Sequence, residues 1–146
     1  MDIRLEAIAG PPHFDASTNA FGAIPPTADT PCTFFLAVTP SNLSGGQYLF
    51  NSPQDSAGRR AYIYMVGSHN EPPERWSCGL PTLLLDAPTP GRAQIVTGTL
   101  GRGIPASTSA WIGQTKLHVS RLLIWPRTLT PSEVLAVARH LAHYLH

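Results

Sequence analysis

Short apolar runs, separated by proline and glycine, make up most of the chain. They are CTFFLAVT (32–39), QYLFNS (47–52), RAYIYMVG (60–67), PTLLLDA (81–87), AQIVTGTL (93–100), AWIGQT (110–115) and HVSRLLIW (118–125). Each is rich in β-branched, aromatic or leucine side chains and bounded by Pro, Gly, Asn or Ser, which is the pattern of a strand. In AYIYMV, Tyr62, Tyr64 and Val66 fall on one face and Ile63 and Met65 on the other. Both faces are apolar or amphipathic, so this strand is expected to be covered on both sides. SRLLIW, nearly continuous in its apolar character, reads the same way. Regularly spaced short strands of this kind predict an all-β, antiparallel β-sandwich or barrel.

The end of the chain breaks the pattern. Thr130, Pro131 and Glu133 spell a capping box with proline at the first helical position. In that arrangement the threonine hydroxyl and the glutamate carboxylate satisfy N–H groups that the first turn leaves without partners. Val134, Val137, Ala138, Leu141, Ala142 and Leu145 then recur at spacings of three and four. The spacing predicts a C-terminal α-helix over 130–146 whose apolar stripe lies on the sheets. At the other end, 1–31 reads as an irregular, Pro-rich segment with an early strand over Ile3–Ile8. The longest loops are expected at 67–80 (GSHNEPPERWSCGL) and 100–109, where specificity would reside.

With 146 residues the chain is expected to be a single domain, 1–146, large enough to bury one core without staples. Charged residues are only 13%, about half the usual share, so Ser, Thr, Asn, Gln and Pro cover much of the surface. The formal net charge is +1 and the cations are scattered. No basic stripe for nucleic acid results. No run approaches the ~20 apolar residues of a membrane span, and MDIRLEAIAG lacks the long apolar core of a secretory signal. Cys32 and Cys78 could pair, but two cysteines without an export signal are expected to be free thiols. Neither sits in a CxxC pair, so zinc is not expected.

Candidate chemistry is sparse. Glu6, Glu71, Glu74 and Glu133 include no two acids alternating along one strand, as a glycosidase would need. Asp2, Asp15, Asp29, Asp55 and Asp86 are isolated in sequence, so no calcium site is predicted. His140, His143 and His146 recur every three residues, but successive threes drift around a helix. Histidines near a helix C-terminus are explained by the helix dipole instead. There is no G-x-S-x-G elbow, and GRGIPAS lacks the ending of a phosphate loop. Catalytic residues, metal and cofactor are all expected to be absent. The best binding candidate is Trp76 in EPPERWSCG, with His69 and Asn70 near it in sequence. An exposed Trp beside polar loop residues suits sugar recognition, and a loop anchor is the equally weighted alternative. Trp111 and Trp125, inside apolar strands, read as core.

LLIWPRTLTPSEVLAVARHLAHYL (122–145) resembles the closing segment of concanavalin A-like lectin/glucanase domains, particularly the laminin-G-like branch. There a last strand runs through an aromatic into R-x-L-[ST]-x-x-E and a helix. PHFDAS, FFLAVTPSNLSGGQYLFNS and AWIGQT resemble earlier strands of that family, in the expected order. The resemblance implies a jelly roll closed by the terminal helix, although the chain is short for the family. It implies either a carbohydrate-binding module or a non-catalytic structural protein. A domain with no export signal expected and no catalytic set suits a bacteriophage virion accessory protein, made in the host cytoplasm and released by lysis. It would serve in capsid decoration or cement, or in the tail. Its partners would be a major capsid or tail protein and other copies of itself, with a glycan as the alternative ligand.

Overall fold

The computed structural model describes residues 4–17, 23–40, 47–52, 54–67, 73–78, 91–106, 108 and 117–143. Its elements are α1 (Leu5–Ala9), β1 (Phe14–Ser17), β2 (Cys32–Pro40), β3 (Gln47–Asn51), β4 (Tyr62–Gly67), β5 (Pro73–Cys78), β6 (Gln94–Leu100), β7 (Leu117–Trp125) and α2 (Pro131–Ala142). The chain is thus mostly β. Among the described residues, one antiparallel sheet has four strands in the order β1-β7-β2-β6, and a second has three in the order β3-β4-β5. The expected runs at 32–39, 47–52, 60–67, 93–100 and 118–125 all correspond to strands. Those at 81–87 and 110–115 lie outside the described residues.

Two expectations are corrected. The N-terminal segment forms a helix, not a strand, over Leu5–Ala9. Leu5, Ile8 and Ala9 meet the core at helical spacing, and Leu, Glu and Ala are good helix formers. Gly10, at φ 77°, ends the helix with its N–H donated to the Glu6 carbonyl; a left-handed residue here favours glycine. The second correction concerns 67–80, read as a loop. It contains β5, which pairs with β4 from Ile63↔Cys78 to Gly67↔Pro73. Pro73 is tolerated because it opens the strand.

The four-stranded sheet is buried on both faces, and its side chains divide by the two-residue period of a strand. Phe34, Leu36 and Val38 of β2, Leu122 and Ile124 of β7, and Val96 and Leu100 of β6 join one core cluster. Ala61, just before β4, and Ile63 within it belong to the same cluster, as do Ile24 and Ile104. Phe35, Leu123 and Trp125 point the other way and pack with Leu5, Ala9, Leu129, Val134, Val137 and Leu141. Val119 is out of phase with Leu122, yet it shares that residue's face. The pairing jumps from Ala37↔Arg121 to Val38↔Val119. Ser120 is the extra residue of a β-bulge that reverses the alternation.

Helix α2 starts as its sequence predicts. The Glu133 N–H donates to Thr130 Oγ1 at 3.2 Å, and Glu133 Oε1 accepts from the Thr130 N–H at 3.0 Å. Val134, Val137 and Leu141 are buried against the sheet. At roughly 1.5–3 kcal/mol per buried side chain, these three outweigh a cap of about 1 kcal/mol. Packing holds the helix and the cap sets where it begins. Ala142, expected on the stripe, is exposed, and 144–146 lie outside the described residues.

Candidate functional site

The motif R-T-L-T-P-S-E (127–133) is the junction of three elements, and each of its key side chains has a structural partner. Arg127 makes a two-pronged pair with Glu133, Nη1 to Oε1 at 3.1 Å and Nη2 to Oε2 at 2.8 Å. Its Nη2 also donates to the Ala9 carbonyl at 2.7 Å, fastening the end of α1. Leu129 is buried in the helix-side core. Thr33, buried in β2, donates its hydroxyl to the Arg127 carbonyl at 2.9 Å and accepts from the Leu129 N–H at 3.0 Å.

The Arg127 guanidinium, helped by the Thr130 N–H, pulls the Glu133 carboxyl down to about 2. Its ordinary value is near 4.5. A carboxyl depressed in the folded state stabilises the fold fully above the unfolded value, and that contribution fades as pH falls from about 4.5 towards 2. The thermal midpoint of Glu133→Gln is therefore expected to lie below wild type at pH 6, with the gap narrowing between pH 5 and 2.5. A gap that stayed constant over that range would contradict the pairing.

A second charged cluster joins three segments distant in sequence, and reading the sequence missed it. Arg59 reaches Asp55 through Nε at 2.8 Å and Asp29 through Nη2 at 3.1 Å. Arg102 lies 3.7 Å from Asp29 and 4.0 Å from Asp55. Asp55 opens a turn that runs to Gly58, at φ 79°, and an Asp three residues before a Gly is the local signal that could have marked it. Asp55 Oδ1 accepts from the Ala57 and Arg59 N–H groups at 2.9 and 2.8 Å. These bonds, the Arg59 N–H foremost, hold the Asp55 carboxyl below its ordinary range. Both aspartates are committed to guanidinium groups, so a calcium ion would have to displace arginine to use them.

Neither Asp55 nor Glu133 is poised as a proton donor, because both are displaced downwards and a general acid needs a raised pKa. Burial pushes the Cys32 thiol up, against hydrogen bonds from Thr27 and the Ile104 backbone. That is the environment of an inert cysteine. Cys32 is a free thiol. Among the described residues no three His, Cys, Asp or Glu side chains gather where they could hold a metal ion, and no described helix is long and apolar enough to cross a membrane.

The sequence-predicted binding residues fare unequally. Trp76 sits on β5, the outer strand of the three-stranded sheet among the described residues, and opposite Met65 of β4, where a loop had been expected. His69 and Asn70 lie outside the described residues. Trp125 is buried, as a core residue should be, and Trp111 lies outside the described residues. Comparisons with protein-family models, curated proteins and solved structures find no match to this chain.

Proposed function

We propose that the chain is a non-catalytic structural protein, a jelly-roll β-sandwich that acts through protein contacts as a bacteriophage virion accessory component. Decoration or cementing of the capsid, or a place in the tail, is the role this reading assigns, with a major capsid or tail protein and further copies of the chain as partners. The observation that carries it is how the charged groups are used. Asp15, Asp29, Asp55 and Glu133 are each held by an arginine, so these carboxylates tie segments together and are not presented to a substrate. Support for the sandwich comes from Ala61 and Ile63, which share one core with the four-stranded sheet.

The test is the mass of the purified protein in solution by light scattering, with a glycan-array screen of the same sample. A stable oligomer of defined mass and no sugar binding is the expected result. A monomer that binds one sugar reproducibly, and loses it on Trp76→Ala, would replace this reading with that of a lectin-like module.

A further inference from the structure

Residues 25–31, between Ile24 and β2, form a strap outside helix and strand that bends at Asp29–Thr30, where the Thr30 N–H donates to the Ala28 carbonyl at 2.8 Å. Pro25, Pro26, Ala28, Asp29, Thr30 and Pro31 are exposed and Thr27 is half-buried, whereas Ile24, just before them, is buried. Polar ties hold the strap down. The Thr27 N–H donates to the Ile104 carbonyl at 2.9 Å, and the Ile104 N–H returns to Thr27 Oγ1 at 2.8 Å. His13 Nε2 lies 2.9 Å from the Pro25 carbonyl. Asp29 adds its pairs with Arg59 and Arg102, and it is itself 54% exposed, a setting in which ion pairs are weak and screened by salt.

Beneath the strap lies the thiol of Cys32, wholly buried. Its Sγ is 3.6 Å from Thr27 Oγ1 and 3.5 Å from the Thr30 carbonyl, to which it donates. The strap's own residues are the cover. Gly103 presses against the strap so closely that a Cβ there would lie 1.9 Å from the Ala28 carbonyl oxygen and 2.8 Å from Thr27 Oγ1.

We propose that this strap is a releasable cover, which lifts while the sheets and α2 stay folded and in doing so uncovers Cys32 and the Ile104 side of the core. Segments with little buried apolar surface open at a lower free energy than the sheets they rest on. The strap has that make-up and β2 beside it, buried at nearly every position, does not. Of the strap's ties, those from His13 and Asp29 are exposed while those between Thr27 and Ile104 are part-buried. A group attached to Cys32 would occupy the space of Thr27 and Thr30, so modification of the thiol would hold the strap open. This inference is independent of the assembly role.

The experiment is alkylation of the native protein with iodoacetamide, followed by mass spectrometry of the tryptic peptides, which separate Cys32 from Cys78. Local release predicts that Cys32 labels without urea at a rate that rises with salt. Asp29→Asn is expected to speed labelling about two- to fivefold. Gly103→Ala, which pushes against Ala28, is expected to speed it on the order of tenfold or more. Leu141→Ala weakens the opposite face, away from the strap, and should leave the rate unchanged. If Leu141→Ala instead accelerates Cys32 labelling in step with the global stability it removes, the thiol is reached only through whole-domain unfolding and the strap is not releasable. Equal rates in wild type, Asp29→Asn and Gly103→Ala would mean that the strap does not gate the thiol and would overturn the proposal.

Discussion

Trp125→Ala is expected to lower the unfolding free energy by about 3–5 kcal/mol, a large part of the roughly 5–15 kcal/mol that holds a domain of this kind together. The side chain closes β7 and is 1% exposed. Its ring meets Phe35 of β2 edge-on, with centroids 5.5 Å apart and planes at 81°, and such a pair adds about 0.5–1.5 kcal/mol beyond the area buried. Its Nε1–H donates to the Gly10 carbonyl at 3.1 Å, just past the end of α1. Alanine therefore opens a cavity among Leu123, Leu129 and the helices and strands a carbonyl. Trp125→Phe separates the two losses, since it keeps most of the volume and removes the donor, and it should cost about 1–2 kcal/mol. Urea unfolding followed by far-UV circular dichroism, which does not depend on the indole as a fluorophore, measures both. A loss under about 1.5 kcal/mol for the alanine variant would mean that the helix layer is not anchored through this residue.

What was legible in the sequence follows from the range of the interactions. The start of α2 could be read because its cap closes within four residues, and its buried stripe repeats within one or two turns. Strands β2, β4, β6 and β7 could be read because long apolar runs survive whichever face each residue takes. Helix α1 escaped because five residues give too little periodicity to compete with an alternating reading of Ile3–Ile8. Strand β5 escaped because Pro73 and its polar neighbours look like a loop until β4 is set beside them. The Asp29–Asp55–Arg59–Arg102 cluster joins the strap, a turn and the segment after β6, and no local spacing announces it. Of the binding candidates, the sequence marked Trp76 by composition, and only pairing with β4 puts it on a strand.

The same distinction makes Thr33→Val the more informative of the two large substitutions. Valine keeps the β-branched shape that a buried central strand favours, so any loss reports the hydroxyl. That hydroxyl is donor to the Arg127 carbonyl and acceptor for the Leu129 N–H. The carbonyl retains a second partner, the Thr33 N–H at 3.2 Å, whereas the Leu129 N–H, in a buried setting, loses its acceptor. An unsatisfied buried donor costs about 1–3 kcal/mol, so Thr33→Val is expected to cost about 2 kcal/mol despite its nearly unchanged volume. Thr33→Ser keeps the oxygen and gives up a methyl group, and should cost about 1 kcal/mol. The order Ser above Val in stability, measured in the same urea titrations, tests whether the hydroxyl ties β2 to the turn that launches α2. The reverse order would mean that packing alone fixes that turn and that the R-x-L-T segment could be relaid without Thr33.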